Sequence, residues 1–165
     1  MNWFNYSNFY DFISDNKNFN VFVELGVWEG DSISYLAKKL ISRRLEVKVY
    51  GIDIFEDWNK NQDLEVKKLI PNIRHIFNDR LIKDNVRDMV VDIKGISWEM
   101  AAKFEDNSVD FVFIDADHSY ESVKKDMLAW LPKIKKTVLF QDTTILIHAE
   151  LSKLLMNASQ ILLNK

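Results

Sequence analysis

The chain has 165 residues, a formal net charge of −3 and no cysteine. This length predicts a single domain with a core of its own. The charge is not that of a general nucleic-acid binder, which presents a basic face. Without cysteine, disulfides, thiolate–metal sites and cysteine nucleophiles are excluded. No apolar run approaches membrane-spanning length, so we predict a cytoplasmic protein that binds neither nucleic acid nor membrane.

The first twenty residues mix aromatic and polar side chains at helical spacing. The recurring positions are Trp3, Tyr6, Phe9, Tyr10 and Ile13. We interpret residues 1–20 as an N-terminal helical segment that packs over the sheet edge, with a lid or a dimer contact as open alternatives. Residues 21–165 form the remainder of the single domain.

Strand-like runs alternate with helical patterns along the rest of the chain, which predicts an α/β fold with a parallel sheet flanked by helices. The five predicted strands are Val21–Val27, Val47–Ile54, Met89–Ile93, Val109–Ile114 and Thr137–Phe140. Ser97 and Ser119 are predicted to cap the helices that follow the third and fourth strands. The last segment, Thr144–Leu163, also has helical spacing.

A glycine-containing turn joins the first strand to the first helix of this alternation. Its spacing is Glu24-x-Gly26-x-x-x-Gly30. Such a turn leaves backbone N–H groups uncovered at a helix N-terminus, where they can face a nucleotide-like ligand. The spacing differs from the G-x-G-x-x-G fingerprint of dinucleotide-binding folds, which argues against a nicotinamide cofactor.

A glycine or an aspartate lies at the carboxyl end of each of the five predicted strands, namely Gly26, Asp53, Gly95, Asp115 and Asp142. Because ligands bind outside the carboxyl ends of parallel strands, we expect these residues to share one rim. Asp53 lies some twenty residues beyond the glycine turn, where a carboxylate can accept ribose hydroxyls. The alternative for Asp53 is a turn or helix-cap aspartate.

The segment that follows the fourth strand carries Asp115, Asp117 and His118. Asp115 and His118 are three residues apart, so a turn could direct both to one place. A carboxylate can hold a divalent cation, and a neutral imidazole can accept a proton. We interpret Asp117 as a turn residue. Asp142 could complete a hard-cation site with Asp115, or could cap the following helix.

At these positions the chain resembles the class I S-adenosylmethionine-dependent methyltransferases, and within them the small-molecule and sugar O-methyltransferases. The matching segments are VELGVWEGDS, YGIDIF, IKGISWEMA and SVDFVFIDADHSYESVKKDMLAWLPK. The resemblance implies a Rossmann-like fold with strand order 3-2-1-4-5 and about five strands. The last two of the usual seven strands are not accounted for, so we expect a shortened fold.

The resemblance also implies roles for the rim residues, with S-adenosylmethionine as cofactor. Cofactor contacts are implied for Glu24, Gly26, Gly30, Asp53, Gly95, Ser97, Trp98 and Asp115. Of these, the first three line the methionine end, Asp53 takes the ribose, and the turn Gly95–Ser97 with Trp98 flanks the adenine. Asp115 and His118 are implied as metal ligand and general base, and Asp142 completes a site for Mg²⁺ or another divalent cation.

We therefore predict methyl transfer to a hydroxyl of a sugar or other small molecule. Two alternatives stay open, a non-catalytic methyltransferase-like binding module and an NAD-binding oxidoreductase. The sequence departs from the family at Ile96, where an acidic residue is common, and at Lys135–Lys136, where Gly-Gly is common. An uncovered fifth strand would invite pairing with a second chain, so we also expect a homodimer through that edge.

Overall fold

A computed structural model of the chain describes residues 7–15, 19–57, 63–135, 137–140 and 145–148. The helices in these ranges are α1 (Ser7–Ser14), α2 (Asp31–Ser42), α3 (Leu64–Leu69), α4 (Ile73–Lys83), α5 (Ser97–Met100) and α6 (Tyr120–Trp130). The strands are β1 (Val21–Leu25), β2 (Lys48–Asp53), β3 (Val90–Lys94), β4 (Phe111–Ile114), β5 (Thr137–Phe140) and β6 (Ile145–His148). Over the described residues, no helix combines the length and apolar character needed to cross a bilayer.

Four of the strands form one sheet in the order β3-β2-β1-β4, with all neighbours parallel. The α/β class and this part of the strand order were correctly predicted from the alternation and the resemblance. Every residue of β4 is buried, because helices cover both faces of a parallel sheet. The same cover by helices explains why most residues of β1 are buried.

The end of the described chain differs from the prediction. Strand β5 has the predicted bounds and lies alongside β4. Its hydrogen-bonded partner, however, is β6, in a separate antiparallel pair. The main sheet therefore has four hydrogen-bonded strands instead of about five. The helix predicted from residue 144 is wrong at Ile145–His148, because a short apolar run fits strand and helix patterns equally well.

The two faces of the sheet bury separate sets of side chains, since successive residues of a strand point to opposite sides. On β1, Phe22 packs with α2 and α4, whereas Val23 and Leu25 belong to the cluster beside α6. Helix α1 joins the first face and contacts α2. Its Tyr10 is fully buried, with its ring centroid 5.5 Å from that of Phe113 on β4. Helix α1 thus covers a sheet face instead of the predicted sheet edge.

Candidate functional site

The carboxyl ends of the four parallel strands are tied together by backbone hydrogen bonds. The Gly26 N–H donates to Ile52 at 2.8 Å, and the Asp115 N–H donates to Leu25 at 2.8 Å. The Gly95 N–H donates to the carbonyl of Asp53 at 2.9 Å. The four described rim residues thus lie at one edge of the sheet, as the sequence predicts. Asp142 lies outside the described residues.

Gly26 is required by the geometry of the rim itself. Its φ of +83° lies in the left-handed region, which side chains other than glycine adopt at a cost of about 1–2 kcal/mol. An added Cβ would also lie 2.6 Å from the carbonyl carbon of Asp115 and 2.7 Å from the Cα of Ala116. Since both are backbone atoms that cannot move aside cheaply, a side chain here would separate β1 from β4.

Asp53 fastens the glycine loop to the end of β2. Its Oδ2 accepts the backbone N–H groups of Val27 at 2.9 Å and Trp28 at 3.0 Å. Its Oδ1 accepts the N–H of Phe55 at 2.7 Å. Burial raises the pKa of Asp53, while these three N–H groups act in the opposite direction. The structure therefore realises the turn role considered for this residue, and ribose binding stays a prediction.

The N–H groups of the glycine loop have partners inside the protein. Besides the two that Asp53 accepts, Gly26 donates to Ile52, and Gly30 donates to Val27 at 2.7 Å. The prediction that the turn leaves its N–H groups uncovered is wrong for these four residues. The N–H groups of these four residues are therefore not open to bind a phosphate.

Glu24 is fully buried behind the glycine loop. The Ser32 hydroxyl donates to Oε1, and the Tyr10 hydroxyl donates to Oε2 at 3.0 Å. Burial raises the pKa of Glu24 to about 8. The nearby charges of Asp115 and Asp53 act in the same direction, and the two hydroxyls oppose it. Direct contact between Glu24 and a cofactor stays a prediction.

Tyr10 and Ser32 were not identified as site residues from the sequence. Tyr10 lies 14 positions before Glu24, in a helix whose aromatic spacing indicates only burial. Ser32 follows eight positions after Glu24, in the first turn of α2. Because hydroxyl contacts over such separations leave no periodic pattern, only the tertiary structure reveals them.

A hydrogen bond from α6 holds the turn after β3. The Trp130 indole N–H donates to the Ser97 carbonyl at 3.1 Å. Ile96, instead of the predicted Ser97, occupies the N-cap position of α5. The ammonium group of Lys125 lies 4.7 Å from the centre of the Trp98 ring. Gly95, Ser97 and Trp98 therefore adjoin the rim, and their predicted contacts with adenine stay predictions.

Asp115 and His118 come together after β4, as their spacing predicts. His118 Nε2 lies 3.7 Å from Asp115 Oδ1. The side chain of His118 is 62% exposed and that of Asp115 is 26% exposed, so both are accessible from outside the rim. This separation is too long for a hydrogen bond, but an exposed imidazole beside a carboxylate can serve as a proton acceptor.

Asp117 has the structural role that the sequence predicts. Its carboxylate accepts the Ser119 N–H at 3.0 Å and the Ser122 hydroxyl at 2.7 Å. The hydrogen bond from Ser122 is the largest cause that lowers the pKa of Asp117. Ser119 is the N-cap of α6, as predicted, and accepts the Ser122 N–H at 3.4 Å.

Within the part of the chain that the structure describes, no three His, Asp or Glu side chains converge as a metal ion would require. The predicted metal pair is Asp115 with Asp142, and the second residue lies outside that part. Carboxylate oxygens are the donors that Mg²⁺ prefers. A metal site at Asp115 thus stays a prediction.

A family model described as a methyltransferase domain matches residues 23–148, from the middle of β1 to the end of β6. The match therefore contains the glycine loop, Asp53, the turn after β3 and the Asp115–His118 pair. Comparison with curated proteins gives no significant match.

Solved structures share the fold at low sequence identity. The O-methyltransferase TomG from Streptomyces achromogenes, in complex with SAM, is 15% identical, with a TM-score of 0.60 over 81% of this chain and 53% of that one. The SAM-dependent O-methyltransferase from Thermotoga maritima is 17% identical, with a TM-score of 0.56 over 85% of this chain and 43% of that one. Cofactor-bound Rv0187 from MTB is 15% identical, with a TM-score of 0.58 over 85% and 55%. The chain spans about half the length of these structures.

Proposed function

We propose that this chain, which belongs to the methyltransferase-domain family, is an S-adenosylmethionine-dependent O-methyltransferase that acts on a hydroxyl of a sugar or other small molecule. The observation that carries the proposal is the Asp53 clamp on the glycine loop, at the same rim as Asp115 and His118. O-methyltransferases of similar fold, one of them in complex with SAM, support the choice of cofactor and reaction.

The clamp favours S-adenosylmethionine over a nicotinamide dinucleotide. A dinucleotide pyrophosphate binds to uncovered N–H groups at a helix N-terminus. Here the N–H groups of Val27 and Trp28 are already bonded to Asp53, whose carboxylate would repel a phosphate. S-adenosylmethionine has no phosphate and carries positive charge on its sulfonium and amino groups. A rim with Asp53 and Asp115 suits a cation better than an anion.

The residues beyond β4 provide the chemistry of the acceptor. Bound S-adenosylmethionine supplies a methyl group that its positive sulfur already activates. In this proposal His118 takes the proton from the acceptor hydroxyl, and the Asp115 carboxylate, 3.7 Å from its Nε2, stabilises the imidazolium that results. The rim fixes the acceptor relative to the donor, and such alignment contributes on the order of 7–11 kcal/mol in favourable cases.

We include a divalent cation such as Mg²⁺ in the proposal, held by Asp115 and Asp142. A bound cation would lower the pKa of the acceptor hydroxyl and orient it. The two acids are the donor type for this ion. The proton transfer to His118 does not depend on the cation.

Binding of the cofactor is the first test. Isothermal titration calorimetry of the purified chain with S-adenosylmethionine should give saturable binding, and NADH should not compete. Asp53→Ala removes the acceptor of three loop N–H groups, so its affinity should fall at least about tenfold. Glu105→Gln, at an exposed acid in the segment that precedes β4, is the control and should bind normally. Binding of NADH in place of S-adenosylmethionine would refute the proposal.

Methyl transfer is the second test, made with a panel of sugars and catechols in the presence of Mg²⁺ and of EDTA. His118→Ala should lower the rate by about 10²–10⁴-fold while leaving cofactor affinity unchanged, since His118 acts on the acceptor. Binding without turnover on any acceptor would favour the non-catalytic module. Full activity in EDTA would remove the metal from the proposal.

The homodimer and the cytoplasmic location are further parts of the proposal. Strand β6 pairs with one edge of β5 inside the chain. A dimer that forms through β5 could therefore use only the other edge of that strand. Sedimentation velocity at micromolar concentration measures the state directly, and a monomer would rule out the dimer.

A further inference from the structure

Asp126 is a buried acid that has no role in the predicted site or in the proposed function. Its residue is 0% exposed. Both carboxylate oxygens are buried and without a hydrogen-bond partner, which holds for no other side-chain atom of the described residues. Native proteins rarely leave such atoms unpaired, because each costs about 1–3 kcal/mol and more when charged. A carboxylate kept in this position calls for a reason other than stability.

The place of Asp126 on α6 supplies such a reason. Ser122, Asp126 and Trp130 are spaced four residues apart, are all buried, and so lie on one face of the helix. Ser122 donates its hydroxyl to Asp117, in the segment after β4. Trp130 donates its indole N–H to the carbonyl of Ser97, in the turn after β3. The outer two members of this row therefore hold two different segments of the rim.

Asp126 lies between those two attachments. Burial raises the pKa of Asp126 to about 6, the nearby Ser97 side chain acts to lower it, and the charge of Asp117 acts to raise it. The two segments that Ser122 and Trp130 hold are thus also the two whose side chains influence the carboxyl group of Asp126. Ser97 is near enough to act on Asp126 without making a hydrogen bond of normal geometry.

We propose that Asp126 is a positioning residue that sets the turn at Ser97 against the segment after β4, and so shapes the part of the site that receives the adenosine end of S-adenosylmethionine. This inference rests on the proposed function. In the ligand-bound protein the Ser97 hydroxyl donates to the Asp126 carboxylate. Asp126 is not a ligand contact, because it is entirely enclosed by the protein.

The experiment compares Asp126→Leu with Asp126→Asn, Ser97→Ala and the exposed control Glu121→Gln on the same helix. Leucine branches at the same carbon as aspartate and is larger and apolar, whereas asparagine keeps a carbonyl that can accept the Ser97 hydroxyl. Urea denaturation measures stability, and calorimetry measures the affinity for S-adenosylmethionine and for adenosine alone.

For Asp126→Leu we expect unchanged stability, because the removal of an unpaired buried acid offsets the strain from the larger apolar side chain. Its affinity for both ligands should fall about tenfold. Asp126→Asn should bind within about threefold of the wild type, and Ser97→Ala should lose as much as Asp126→Leu. The double variant Asp126→Leu/Ser97→Ala should lose no more than either single variant, as expected for partners in one interaction.

The following results would contradict either the positioning role of Asp126 or the proposed function. Wild-type affinity in Asp126→Leu or in Ser97→Ala refutes the positioning role, as does an equal loss in Asp126→Asn. Ser97→Ala and Asp126→Asn decide the matter if Asp126→Leu does not fold. A wild-type chain that binds neither ligand refutes the proposed function instead.

Discussion

Replacing Glu24 by glutamine should make the stability of the protein less sensitive to alkaline pH. Glu24 is fully buried, and burial raises its pKa from 4.5 to about 8. Between these two values the folded protein holds a proton that the unfolded chain has released. The free energy of unfolding therefore falls as the pH rises through this window, and the loss levels off above the folded pKa. Glutamine keeps the size of the side chain and one of its two acceptor oxygens, and its amide cannot ionise.

The size of the effect follows from the pKa in the folded state. Each pH unit between the two pKa values costs about 1.4 kcal/mol of stability. Between pH 6 and pH 9 the full loss per pH unit applies only up to about pH 8. Over this range the free energy of unfolding of the wild type should therefore fall by about 2–3 kcal/mol relative to that of Glu24→Gln. Screening by solvent is small, because the carboxyl has no exposed surface.

Urea denaturation followed by tryptophan fluorescence, at half-unit steps from pH 6 to pH 9, measures the difference directly. Other titrating groups are common to both proteins and cancel in the comparison. Glu46→Gln, at an exposed glutamate, is the matched control and should alter stability by less than about 0.5 kcal/mol. A constant difference between wild type and Glu24→Gln across this range would show that the reasoning from burial is wrong.

Two further substitutions test the packing of the rim. Gly26→Ala should lower stability by about 2 kcal/mol or more in urea denaturation, since it combines a left-handed φ with a backbone clash at Asp115; a stable variant would contradict the close approach of β1 and β4. Asp117→Ala should cost about 1–2 kcal/mol at pH 7 through loss of its bonds to Ser119 and Ser122. Because the folded pKa of Asp117 is lowered, this cost should shrink as the pH falls through that pKa, and a cost that grows toward acid pH would refute the assignment.

Local patterns in the sequence were sufficient for the elements of the fold. Apolar runs placed β1 to β4 within one or two residues. The reason is clearest for β4, which is buried on both faces and is therefore apolar throughout. The alternation of strands with helices determined the parallel sheet, since parallel neighbours need a crossover. The rim residues Gly26, Asp53, Gly95 and Asp115 could be placed together for the same reason, as parallel strands end at one edge.

Contacts between segments far apart in the chain decided the rest. The bond from Tyr10 to Glu24, the bond from Val27 to Asp53 and the influence of Ser97 on Asp126 join residues that are 14, 26 and 29 positions apart in the sequence. Such pairs need neither periodicity nor a motif, so no pattern reveals them. The sequence by itself determined which residues reach the rim; only the tertiary structure decided which of them are enclosed, and burial is what sets their charge and their hydrogen bonds.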